Sequence, residues 1–147
     1  MTTVFSLLKK DHQTVKDILE RLLETSDQAK VTRKELLEEL KQELQQHEEI
    51  EEKLFYPALK EYNKLKPMIL EAYEEHHLVD DLLEKVEACK PNDESWKAKV
   101  MVLKECLLHH IQEEENEIFS GARECMKQEQ LNDMASEIEN MKQSMNA

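Results

Sequence analysis

The chain has 147 residues, a formal charge of −13 at pH 7, one glycine and three prolines. That length fits one domain with its own core, and so little Gly and Pro among so many Glu, Leu and Lys residues favours long helices and almost excludes a sheet. The negative charge argues against a nucleic acid or an anionic membrane surface as partner, because nothing would displace counterions from phosphates. Five amphipathic segments are expected. The first runs from about Thr3 to Glu24 and ends at the Thr25-Ser26-Asp27 break. The second opens with Thr32-Arg33-Lys34-Glu35, which has capping-box spacing, and reaches about Tyr56, where Pro57 should kink or end it. The third begins at Pro67, a favourable first-turn residue, and stops before Pro91. The fourth starts within Asp93 to Ser95 and runs to Gly121, the only glycine and a natural C-terminal stop. The fifth, about Gln128 to Ser144, carries Leu131, Met134, Ile138, Met141 and Met145 at steps of 3 and 4, a single apolar stripe suited to packing on the rest. The breaks are short, so consecutive helices should be antiparallel. The expected fold is all-α: an up-down-up-down antiparallel four-helix bundle over about 3–121, with a C-terminal accessory helix over about 128–144, in a single domain spanning 1–147.

One pattern occurs twice. A lone histidine, His12, is followed about 35 residues later by His47-x-x-x-Glu51; His76 is followed at nearly the same distance by His110-x-x-x-Glu114. The i,i+4 spacing puts each His and Glu on one helix face. All six residues fall on seams that are otherwise apolar. These read Leu8-His12-Val15-Leu19, Leu40-Leu44-His47-Glu51, Ala72-His76-Val79-Leu83 and Leu103-Leu107-His110-Glu114. Histidines on such seams are commonly core residues satisfied by a neighbour. Six polar groups in a two-fold pattern are a different matter: each one buried without a partner costs about 1–3 kcal/mol, against a net stability of about 5–15 kcal/mol. Metal coordination removes that conflict. Imidazole and carboxylate donors suit Fe, Mn or Zn, and the lack of thiolates argues against Cu(I) and iron–sulfur clusters. Two glutamates can bridge two ions while the histidines divide between them, which favours a redox-active di-iron centre over a structural zinc site. The ferritin-like type is excluded, since its Glu-x-x-His spacing occurs only at Glu74 and His77, off the seam.

The stretches Leu8-Lys9-Lys10-Asp11-His12, His47-Glu48-Glu49-Ile50-Glu51-Glu52 with Phe55-Tyr56-Pro57-Ala58-Leu59, Glu74-Glu75-His76, and His109-His110-Ile111-Gln112-Glu113-Glu114-Glu115 with Ile118-Phe119 together resemble the hemerythrin-like HHE cation-binding domain family. The resemblance covers about residues 4–125. It implies two Fe ions in an oxo- or hydroxo-bridged centre that meets O2, NO or peroxide, with His12, His47, His76 and His110 as terminal ligands and Glu51 and Glu114 as bridges. The chain departs from the oxygen-carrying hemerythrins, which have His-x-x-x-His on the third helix and His-x-x-x-x-Asp on the fourth. Here His76 is followed at i+4 by Asp80, and Glu114 stands one place short of the fourth-helix offset that Glu115 would restore. The iron beside His76 is therefore expected to be one histidine short and to take water, an exogenous ligand, or a nearby carboxylate or phenol. That weakens reversible O2 carriage and leaves NO handling, peroxide chemistry or sensing.

The remaining candidates are expected to be minor. His77 and His109 lie one position off the seam, as solvated helix-face residues. Glu48 is a weak alternative ligand. Tyr56 is expected as a core-edge aromatic, with a donor role beside the metals as the alternative. Cys89, Cys106 and Cys125 are odd in number and lack CxxC spacing, which suits small apolar packing in a reducing compartment. The apolar run at Val4–Leu8 is too short for a signal peptide and no segment could span a membrane, so the cytoplasm is the expected location. Two rivals stand beside the ligand-binding reading: a di-iron enzyme acting on peroxide or NO, and a metal-free bundle whose histidines are satisfied internally.

Overall fold

The computed structural model describes residues 2–146. Helix α1 (Val4–Glu24) opens on a closed capping box. The Thr3 hydroxyl accepts from the Ser6 N–H and the Ser6 hydroxyl accepts from the Thr3 N–H. Helix α2 (Lys30–Ile50) starts earlier than its sequence suggests. The Ala29 N–H already bonds to the Ser26 carbonyl and the Arg33 N–H to the Ala29 carbonyl, so the first turn is formed before Thr32, which makes no cap.

Pro57 does not end this helix. A π-helical turn at Glu51–Phe55 leads directly into α3 (Tyr56–Lys60). After a short turn come α4 (Lys66–Ala88) and α5 (Trp96–Glu113). A second π-helical turn at Glu114–Ile118 then continues into α6 (Phe119–Cys125). Gly121 is not a stop either. It lies inside α6, and a Cβ there would fall 2.3 Å from Cδ2 of Leu65, so the residue is small because the chain before α4 passes against it. Helix α7 (Gln128–Met145) buries Leu131, Met134, Ala135 and Ile138, with Met141 and Met145 packed alongside.

Helix α1 packs chiefly on α2, and α4 on α5, giving the antiparallel bundle; α7 lies across α1, α2 and the first π turn. The apolar core is in two parts. One is built from Val4, Phe5, Leu8, Phe55, Leu59, Leu65, Ile69, Phe119 and the buried face of α7. The other is built from Val15, Leu19, Leu22, Leu40, Leu83, Val86, Trp96 and Leu103. Arg33 closes its far end: the guanidinium lies 4.1 Å over the Trp96 ring and donates to both Thr25 oxygens and to the Pro91 carbonyl. The buried polar residues of the seams form a slab between these two cores. Among the described residues no helix is long and apolar enough to cross a membrane.

Candidate metal centre

Each half of the bundle delivers one glutamate to the centre at the start of a π turn. Glu51 and Glu114 are both 0% exposed. The first turn precedes Pro57, but the second has Ser120 in the equivalent place, so proline is not the common cause. What the two turns share is a buried glutamate, and π turns recur where a helix must re-aim side chains at a functional site.

The structure brings His12, His47, Glu51, His76, His110 and Glu114 together, all buried. His47 Nε2 and His76 Nε2 each lie 3.2 Å from Oε1 of Glu51. His12 Nε2 lies 3.1 Å from Oε1 of Glu114, and His110 Nε2 lies 3.5 Å from Oε2 of the same residue. Each glutamate thus meets one histidine from the His12–His47 half and one from the His76–His110 half. His12, His47, Glu51 and Glu114 form one four-donor group, and Glu51, His76 and His110 form another.

The outward nitrogens are ordered too. Nδ1 of His12 donates to Glu115 at 2.6 Å, that of His47 to Asp11 at 3.0 Å, that of His76 to Glu52 at 2.8 Å, and that of His110 to Glu75 at 2.7 Å. A carboxylate can only accept, so the proton sits on Nδ1, and in a neutral ring the Nε2 lone pair faces the centre, as a metal ligand requires. These four acids were missed in the sequence, although the signal was present. Asp11 and Glu75 immediately precede the lone histidines, while Glu52 and Glu115 immediately follow the two glutamates. The full repeat is acid-His, then His-x-x-x-Glu-Glu. Glu115 accordingly orients His12 from outside the centre.

Tyr56 is also understated by the sequence. It is fully buried, and its hydroxyl donates to Oε2 of Glu114 at 2.5 Å while lying 3.2 Å from His76 Nε2 and 3.4 Å from His110 Nε2. A phenol therefore stands where the His76 side was expected to be short of a ligand. Asp80, one turn beyond His76, is exposed. His77 and His109 are also exposed, at 67% and 65% of their side chains.

Electrostatics follow from six carboxylates around four imidazoles. Burial opposes the charge on His47, but Glu51 and Asp11 outweigh it and push its pKa up to about 10. His110 rises to about 11 and His76 to about 8, each against burial, chiefly through Glu114 and Glu75 for the first and Glu51 for the second. Burial would raise Glu114, but its contacts with Glu51, His110 and His12 hold it well below the usual carboxylate range. Burial and the neighbouring Asp80 push Glu48 up to about 8, so it is a poor ligand at neutral pH. The buried carboxylates favour positive charge in the centre. Two buried atoms, His47 Nε2 and Glu51 Oε2, make no well-aligned hydrogen bond, although His47 Nε2 lies 3.2 Å from the other oxygen of Glu51. Orphaned polar atoms aimed into an all-N/O donor cluster fit first-row metal ions. A small cavity of about 20 Å³ adjoins the four imidazoles, lined otherwise by Val15, Leu44, Val79, Leu107, Ile111 and Glu48.

Comparisons with known proteins bear on the family and the fold. The family described as hemerythrin HHE cation binding domain matches residues 3–122. A crystal structure of a hemerythrin HHE cation-binding domain-containing protein from Mycobacterium kansasii superposes with a TM-score of 0.86 at 26% identity, over 99% of this chain and 89% of that one. An uncharacterized hemerythrin-like protein of Schizosaccharomyces pombe is 28% identical over 144 residues, 97% of this chain and 70% of its own length. A DNA nickase of Nostoc sp. is 26% identical over 132 residues, 90% of this chain, and the match spans only 37% of the nickase.

Proposed function

The chain belongs to the hemerythrin HHE cation-binding domain family, and from that premise we propose that its buried centre holds two iron ions and binds or senses O2, NO or another small oxidant. His12 and His47 would hold one ion and His76 and His110 the other, with Glu51 and Glu114 shared between them. The observation that carries this reading is the double orientation of the histidines: each Nδ1 is tied outward to a carboxylate, and each Nε2 faces a buried glutamate in contact with both halves. Such a pair, when bound, supplies two adjacent redox-active centres to an incoming ligand. The chain's own part is to hold the imidazoles with Nε2 facing the centre, keep bulk water out between the two apolar cores, and limit what enters. A cavity of about 20 Å³ has room for about one water-sized probe, which suits a diatomic or peroxide.

The metal-free rival leaves Glu51 Oε2 buried without a hydrogen bond, at about 1–3 kcal/mol, and His47 Nε2 with only a poorly aligned contact to Glu51. Tyr56 favours a second reading, a di-iron enzyme acting on peroxide or NO, because its hydroxyl is a proton donor already inside the centre. The test is a spectral titration of iron-loaded protein with azide and NO, followed by a peroxide turnover assay. Saturable spectral shifts without turnover support binding or sensing. Sustained turnover that is lost in Tyr56→Phe favours the enzyme. No spectral response to any of the three would overturn both.

A further inference from the structure

The four carboxylates that orient the histidines are not themselves held alike. Glu52 and Glu115 reach partly into solvent, with side chains 38% and 25% exposed. The second oxygen of Glu75 faces the exposed His109, at 3.9 Å, and the half-buried Glu113, with no lysine or arginine among the described residues bonded to it. Asp11 is different. One of its oxygens accepts from His47 Nδ1 at 3.0 Å, and the other accepts from Lys142 Nζ at 2.5 Å. Lys142 belongs to α7, which packs through Leu131, Met134, Ala135 and Ile138. An accessory helix therefore reaches a ring of the centre through two consecutive hydrogen bonds, both largely buried.

We propose that Lys142 is a positioning residue, which fixes the Asp11 carboxylate and through it the His47 ring, so that seating of α7 and metal occupancy of the His12–His47 half are one coupled equilibrium. The coupling rests on the dinuclear reading given above. The carboxylate of Asp11 can rotate about its own bond to Cβ. With Lys142 on one oxygen, the plane is set and the other oxygen stays aligned with Nδ1 of His47. Without Lys142, a largely buried carboxylate keeps one partner only, and rotation toward solvent leaves the His47 ring free to turn. Coupling of this kind is reciprocal: whatever tightens His47 on an ion also tightens α7 on the bundle. Among the described residues the His76–His110 half has no lysine or arginine in the matching place, where Glu75 meets only the exposed ring of His109 and Glu113, so the effect is confined to one ion.

The test uses the wild-type chain of 147 residues, Lys142→Met and Lys142→Arg. In metal-free protein labelled with 15N-histidine, the Nδ1 proton of each histidine is followed by NMR. In iron-loaded protein, release of each ion to a chelator is timed. Lys142→Met is expected to weaken the hydrogen-bonded Nδ1 signal of His47 alone and to speed release of one ion about tenfold, the lower end of the effect of losing a ligand's orienting partner. The second ion should leave at the wild-type rate, and Lys142→Arg should restore both readouts. Equal acceleration of both ions, or acceleration of neither, overturns the coupling. A fall in melting temperature with the His47 signal intact makes Lys142 a mere tether of α7 and overturns it too. Failure of the wild type to take up iron defeats the dinuclear reading instead, and the His47 signal in metal-free protein then decides the role of Lys142 by itself.

Discussion

The two halves of the centre share a scaffold and differ in their walls. Both place an acid beside a lone histidine, a His-x-x-x-Glu on the next helix and a π turn after the glutamate. The residue five positions beyond each glutamate is aromatic: Tyr56 in one half, Phe119 in the other. Phe119 stacks on His12, with ring centroids 6.2 Å apart and planes within 10°. Tyr56 instead brings a hydroxyl among His76, His110 and Glu114. A single oxygen atom separates a hydrocarbon wall from a proton-donating one. Symmetry of the candidate donors thus coexists with chemical asymmetry, and small-ligand chemistry is expected on the Tyr56 side.

The largest effects should come from erasing what the halves share. Glu51→Ala and Glu114→Ala should each drop metal content from two ions toward none, whereas His47→Ala and His110→Ala should each lose about one; elemental analysis of purified protein separates these outcomes. Loss of only one ion from a glutamate variant would mean that the halves are independent. Next in size is the asymmetry itself. Tyr56→Phe makes the two walls alike and removes a hydrogen bond to a buried carboxylate, which should lower metal-free stability by about 1.5–3 kcal/mol in urea denaturation. Metal content should stay at two, and azide affinity should change. Phe119→Tyr should introduce a new donor near His12 and alter the spectrum without abolishing loading.

Protonation sharpens the comparison further. The raised values of His76, His47 and His110, about 8, 10 and 11, mean that these rings bind protons more tightly folded than unfolded. Their contribution to metal-free stability is therefore fully present below about pH 6.5, the ordinary histidine value. It is lost as pH rises through 8 and beyond. Metal uptake must displace the same protons, so loading should tighten as pH rises and release protons in an unbuffered titration. A metal-free melting temperature that rises between pH 7 and 9 would contradict this. The smallest expected effects are at the exposed histidines. His77→Ala and His109→Ala should change stability by less than about 0.5 kcal/mol and leave metal content at two, a direct check on the register of α4 and α5.

Much of this was legible in the sequence, for physical reasons that also mark where legibility stopped. Regular helices keep a periodicity that can be read, so the seams placed His12, His47, Glu51, His76, His110 and Glu114 on inward faces, and all six are buried. A π turn breaks that periodicity. On a straight α-helix Tyr56 would stand about 140° around from Glu51. One extra residue in the turn brings it back to about 40°, over the centre, and no local pattern announced that shift. Pro57 looked like a terminator because the wide turn before it was not foreseen. Gly121 looked like a cap because its reason lies in Leu65, a residue distant in sequence. The outer acids Asp11, Glu52, Glu75 and Glu115 were readable as part of the repeat, but runs of glutamate on helices are usually solvated and hid them. The bond from Lys142 to Asp11 joins residues 131 positions apart and had no sequence signal.

The central claim is a dinuclear iron centre shared between two glutamates. Its most direct test is metal analysis of aerobically purified protein from iron-replete cells, read together with its absorption spectrum. Two irons per chain with near-ultraviolet charge-transfer bands, both lost in Glu51→Ala, is the result expected. One tightly bound zinc, or no metal and a melting temperature indifferent to added iron, would contradict it.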